Sequence, residues 1–406
     1  MTAPVPLSEV TELVERALDP AAIERGKRRQ AAIWLHEEPD YLPLLLGHTE
    51  RFLPGFAEDR TWKMAEHELQ GGVRCAEIFD YPHYTFRQQR EDPAKMLYEM
   101  LWEILSWARS RSDAVLSVRP YFLRSVESAL GMDVEITEES HAHVRKYLPP
   151  EQVYNLDTKG LLKRGVFPRI ERCIDFMKDH LPEHVHIFPG DTGGPLGLAE
   201  ALRGNELWYD FYDRPEHVDA LLGKCEQLCI SLAYWYKERI GDPREQSYHG
   251  SLFQARGGVR GCDDPIVNLS PEKYLEHVMP HLAAIFREFD GGWFHSCGFF
   301  PHHLDLLLAC PEITAINFGN PELWPDFEAT LKKIIDAGKI YYGALPVHPG
   351  ETVEDAFRRA LRATGGKKRG LIPFLQLQGA GPWPEPQEIM DTWHRVQDEM
   401  CSPTRS

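Results

Sequence analysis

Eight short β-rich runs, separated by helix-forming stretches, constrain this 406-residue chain more than any other feature. The runs cover residues 73–81, 113–121, 185–191, 247–254, 291–298, 313–319, 339–345 and 371–379. Between them lie amphipathic stretches such as PEHVDALLGKCEQLCISLAYWYKERIG and PEKYLEHVMPHLAAIFREF. Strands alternating with helices predict a parallel sheet, because a parallel crossover needs a helix-length connection. Eight strands is also the number that closes a (β/α)8 TIM barrel in a chain of this size. An open doubly wound sheet is the alternative, but no GxGxxG or GxxxxGK[ST] supports a nucleotide-binding version. The expectation is an α/β barrel over 46–406 with a helical extension over 1–45.

Charge narrows the partners. The net charge is −17 with no Lys/Arg-rich run, which excludes nucleic acid and anionic membrane surfaces and leaves a small-molecule substrate. No apolar run reaches the roughly 18 residues of a membrane span. The first twenty residues lack a basic segment followed by an apolar one, so no secretory signal is expected. Eight cysteines without small-scaffold spacing suit a reduced, cytoplasmic protein.

In a barrel, chemistry gathers where strands end. Those ends carry Asp80 and His83, Arg119, Asp191, Gln254 with Arg256, His295 with Cys297, Asn317, His348, and Gln376 with Gln378. His295 and Cys297 are two apart, so an extended backbone points both to one side, and both are zinc-type ligands. His348 and His249 are the local candidates for a third ligand. Arg119, followed by a proline, is a candidate carboxylate clamp. The glycine-rich ARGGVRGCDDP, with Arg256, Arg260, Asp263 and Asp264, has the composition of a mobile lid. Asp191 with Thr192 suits a helix N-cap or an anion site. Thr352 after Glu351 starts a helix. Cys225 and Cys229 are four apart on a helix and read as small buried apolar residues.

Several stretches, in this order, resemble the uroporphyrinogen decarboxylase superfamily. They are RRQAAIWLHEEPDYLP, GDTGGPLGLAEALRGNELWYDFYDRPEHVDALL, DDPIVNLSPEKYLEHVMPHL, HSCG, INFG and the glycine-rich end before PEPQEI. The resemblance runs from about Arg28 to about Glu388 and implies the barrel. It also implies one of two chemistries: decarboxylation without a cofactor, or methyl transfer between a corrinoid and a thiol assisted by zinc. HSCG is similar to the methyltransferase branch, where His295 and Cys297 match the first two zinc ligands. That branch carries a further cysteine in the last glycine-rich turn, where this chain has Ala380. Decarboxylases carry a histidine in that turn and an arginine-rich loop near the N-terminus, and this chain has neither.

Three functions follow. The first is a methyltransferase-like enzyme on a small acidic molecule, with His295, Cys297 and His348 catalytic. Substrate contacts would come from Arg119, Asp191, Arg256, Asp264, Asn317, Gln376 and Gln378, and zinc or no cofactor would serve the site. The second is a metal-free decarboxylase of a small carboxylic acid other than uroporphyrinogen, with His295 or His348 as the acid. The third is a non-catalytic subunit that binds a ligand or a corrinoid protein. The resemblance further implies a separate corrinoid protein as partner and a homodimer through exposed helices.

Overall fold

A computed structural model describes residues 6–48, 84–135, 142–154, 156–190, 192–348, 350–377 and 384–401. The expected run at 73–81, with Asp80 and His83, lies outside these residues, as do Asp191, Gln378 and Ala380.

Eight short strands carry the fold: β1 (Leu45–His48), β2 (Ser117–Val118), β3 (His186–Ile187), β4 (Arg260–Cys262), β5 (Gly292–Ser296), β6 (Ile313–Phe318), β7 (Ile340–Ala344) and β8 (Leu371–Leu377). Six of them form one parallel sheet in the order β1-β8-β7-β6-β5-β4, and β2 pairs with β3 in a separate parallel pair. Single backbone bonds cross the gaps between the sets. Asp113 N donates to Leu44 O at 3.1 Å, and Cys262 N donates to Gly193 O at 3.3 Å. Among the described residues the pairing therefore stops short of a continuous closed sheet.

From β4 onward, each strand is followed by a helix that covers it. The stretch after β7 shows why. α-Helix Val353–Ala363 opens on a reciprocal capping box between Thr352 and Asp355 and buries Val353, Ala356, Phe357, Ala360 and Leu361. That spacing lines one face of a helix, and the face packs on the sheet. β6 is buried on both faces and mostly apolar, as suits a central parallel strand.

Two segments depart from expectation. Residues 247–254 form an antiparallel hairpin, Ser247–His249 against Leu252–Gln254, instead of a parallel strand. Gly250, at φ +61°, opens its two-residue turn, a backbone conformation that costs glycine little. The strand at this point in the order is β4, inside the glycine-rich segment expected to be a lid. Gly261 belongs there because a Cβ would come within 2.7 Å of Phe286.

The N-terminal helices Leu7–Ala17 and Pro20–Trp34 are tied to the body by charge as well as packing. Arg29, buried, bonds Asp113 at 3.0 Å and Asp40 at 2.7 Å, and Asp113 also accepts from Leu44 N at 3.2 Å. Removing one member of such a buried pair leaves a charge uncompensated, at a cost of about 3–5 kcal/mol. At the other end, Trp393 donates to Leu42 O at 2.8 Å and closes the last helix over the first strand.

Candidate metal and substrate site

Strand register assembles the site. Cys262 of β4 stands opposite His295 of β5, and His295 stands opposite Asn317 of β6. Three functional side chains from segments up to 55 residues apart (317 minus 262) thus share one level of a parallel sheet.

Hydrogen bonding fixes the histidine. Asn317 donates its amide to Tyr342 O at 2.6 Å, which leaves its Oδ1 to face His295 Nδ1 at 2.5 Å. The network assigns the proton to Nδ1 and leaves a lone pair on Nε2, the arrangement a metal-binding imidazole needs. Asn317 is buried, so the orientation is held firmly.

Cys262 Sγ, an Asp264 oxygen and a His295 ring nitrogen all lie within 4.8 Å of one another. Among the described residues this is the one group of three or more ligand types at such range. Cys297 adds a fourth donor, its Sγ 3.3 Å from His295 Nε2, while its amide donates to Asp264 Oδ1 at 2.7 Å. Gly319 makes room for this thiol, since a Cβ would come within 2.7 Å of Cys297 Sγ. Asp263, between the two ligand-type neighbours, points elsewhere. It accepts from Gly197 N at 2.9 Å and Tyr274 Oη at 3.0 Å, and burial pushes its carboxyl up to about 6 against those bonds.

Burial, then the charge and hydrogen bond of Asp264, push the Cys297 thiol up to about 11, with only Arg260 opposing. No described Lys or Arg forms a salt bridge with Asp264. Two sulfurs, an imidazole nitrogen and a carboxylate are a zinc-type donor set, so the residues fit that ion. Sequence reasoning named His295, Cys297 and Asp264 but missed Cys262. The signal was present: Cys262 and Asp264 repeat the i, i+2 spacing of His295 and Cys297.

Beside this cluster lies a cavity of about 520 Å³ between strand ends and the helices Phe86–Glu91 and Pro93–Ser110. Phe86, Trp107, Tyr121, Phe188, Tyr342 and Phe374 supply its aromatic walls. Trp293, buried, connects the two regions, its ring centroid 5.0 Å from His249, 5.3 Å from Tyr342 and 6.3 Å from His295. Arg119 lines the cavity with its guanidinium 4.6 Å from the Tyr121 ring centroid and 5.7 Å from that of Phe188.

The other expected residues fall as follows. His249 lines the cavity and is not part of the ligand cluster. His348 is exposed in the loop after β7, its amide bonded to Glu351 at 2.9 Å, and is also outside the cluster. Arg256 pairs with Asp290, just before β5, at 3.0 Å. That is the N-terminal end of the strand, opposite from His295, because Arg256 precedes β4 and β4 runs parallel to β5. The backbone of Gln376 lies in β8. Cys225 and Cys229 are buried in the helix Pro215–Ile240.

No protein-family model matches the chain, and no curated protein matches it either. A solved structure of a methyltransferase from Methanosarcina mazei has the same overall fold, at a TM-score of 0.58 and 15% identity, over 92% of this chain and 98% of that one. No described helix is long and apolar enough to cross a membrane.

Proposed function

We propose that this chain is a methyltransferase-like enzyme of the uroporphyrinogen decarboxylase superfamily, an eight-stranded barrel acting on a small acidic molecule at the strand ends. The backbone bonds at Asp113–Leu44 and Cys262–Gly193 support the barrel, since they put β1 to β8 in ring order. The observation that carries the function is the convergence of Cys262, Asp264 and His295, with Cys297 Sγ beside His295 Nε2.

These four residues would hold a zinc ion, which supplies Lewis-acid activation of a bound thiol or water. Cys262 then takes over the role of the ligand missing at Ala380. Asn317 keeps the His295 imidazole in the tautomer that presents Nε2. Trp293 and Tyr342 form an apolar wall that limits water on one side of the cluster. Arg119 supplies positive charge to hold an acidic substrate beside it.

Elemental analysis of untagged protein tests this. We expect about one zinc per chain, lost in His295→Ala and in Cys262→Ala, with catalytic positions conventionally needing about three protein ligands. Full zinc retention in Cys262→Ala would remove Cys262 from the set. Failure of the wild-type protein to take up zinc on titration would move the assignment to a metal-free lyase with His295 as proton donor.

A further inference from the structure

Arg119, Phe188 and His249 line both the 520 Å³ cavity and a second, much smaller one of about 30 Å³. The two spaces therefore adjoin across these three side chains. Their characters differ sharply. The large one has aromatic walls. The small one sets Arg119, Arg260, Lys237, Gln254 and His249 among Phe188, Tyr248 and Trp293, with no acid among its described lining, whereas the large one includes Glu99 and Glu103.

Two buried polar atoms at the small cavity have no hydrogen-bond partner in the described structure: Gln254 Nε2 and His249 Nε2. Gln254 is 2% exposed, so water outside cannot satisfy it. Leaving a buried amide unpaired costs about 1–3 kcal/mol, so such atoms generally meet a ligand or ordered water. Arg119 forms no salt bridge with a described acid. Glu103, in the lining of the large cavity, feels the Arg119 charge without forming a salt bridge with it, while Asp113 is held by Arg29 and Glu127 by Arg124. Lys237 is engaged by the carbonyls of Pro243 and Gln246 and contributes charge only.

We propose that the small cavity receives the carboxylate of a planar aromatic or unsaturated acid whose body fills the large one. This rests on the strand ends being the substrate site, as proposed above, but not on the metal. Space favours a compact group: the small cavity, at about 30 Å³ against 520 Å³, suits the head of a ligand and not its body. Donors select it too. Arg119 offers a planar fork stacked between two rings, and Gln254 offers an amide N–H. Burial, helped by Arg260, Arg119 and His295, holds His249 well below its usual range, so its ring is neutral and can donate without adding charge. Glu103, which lines the large cavity and feels the Arg119 charge, is reached by solvent from within but surrounded by protein. That raises its carboxyl above the ordinary range and lessens repulsion of an acid.

Calorimetric titration with benzoate, phenylacetate and trans-cinnamate tests the proposal, with benzamide, benzenesulfonate and phenylphosphonate as controls. The carboxylates are expected to bind, and benzamide at least about tenfold more weakly. Arg119→Met should weaken carboxylate binding by about tenfold to a hundredfold, and Gln254→Leu by about fivefold. Arg119→Lys, which keeps the charge but not the fork, should fall between, with circular dichroism confirming that each variant is folded. Carboxylate affinity should be the same with added zinc as with a chelator present, so loss of the metal reading would leave this result intact. Equal binding of benzamide, equal or tighter binding of the tetrahedral anions, unchanged affinity in folded Arg119→Met, or no binding by any carboxylate would each overturn it.

Discussion

The ligand cluster and the aromatic cavity meet through Trp293, whose ring lies near His295 of the one and Tyr342 of the other, but are built in opposite ways. The cluster stands on β4, β5 and β6, where continuous parallel pairing fixes Cys262, His295 and Asn317 at one level. The cavity stands against β2, only two residues long, and four of its six aromatic walls, Phe86, Trp107, Tyr121 and Phe188, come from helices and loops. Register is all-or-none, because a one-residue slip sends every side chain to the other face. Packing is graded, because a wall can yield by fractions of an ångström. A site of this kind separates its two needs: ligands that must meet within tenths of an ångström, and a binding space that can adapt to its occupant.

The largest expected effect sharpens the contrast on the cavity side. His186 of β3 stacks on Tyr248 with centroids 4.0 Å apart. Burial, with Lys27 and His184 adding repulsion, lowers its imidazole to about 4. Its ordinary value is about 6.5. A base with a lowered folded value favours folding above the unfolded value and loses that advantage as pH falls through the folded one. Stability should thus be complete above pH 6.5 and decline between about 6.5 and 4, by about 3 kcal/mol in all. Urea unfolding at pH 7 and pH 4 measures it. His186→Gln should flatten this part of the pH profile, and an unaltered profile in that variant would assign the acid sensitivity elsewhere.

The next effect probes the cluster. Asn317→Ala removes the partner of His295 Nδ1 but none of the four ligands. Loss of such a supporting bond typically weakens metal binding by about 10–100-fold. Competition with a chromophoric chelator reads this directly. Asn317→Asp should restore affinity, since a carboxylate accepts the same proton. Zinc affinity unchanged in the alanine variant would mean that strand register alone orients the ring.

How much of this was legible follows the same division. HSCG stood out because β5 is an uninterrupted apolar strand with one abrupt polar end. Arg119 followed from the rule that strand ends face the site, without any view of the aromatic rings around it. Cys262 was hidden by Gly257, Gly258 and Gly261, which weaken a strand signal and suggest a loop. Those glycines answer to tertiary crowding: Gly258 passes within 2.3 Å, at a notional Cβ, of Arg244 O, and Gly261 packs under Phe286. The hairpin at 247–254 was misread for the converse reason, since one glycine in eight residues barely interrupts a strand pattern. Local composition cannot report a constraint that comes from a neighbour distant in sequence.

The smallest expected effect separates a strand-end histidine that belongs to the cluster from one that merely follows a strand. His348 satisfied the sequence rule as well as His295 did, yet it is exposed and lies outside the ligand group. Its amide, not its ring, makes the recorded bond, to a Glu351 carboxylate that also pairs with Arg359 at 2.8 Å. That contact survives truncation of the side chain. His348→Ala should therefore leave zinc content and benzoate affinity within about twofold of wild type, the range of an exposed substitution away from any network. A tenfold loss of zinc affinity would place His348 in the site after all. It would also mean that the loop after β7 folds over the cluster when metal is bound.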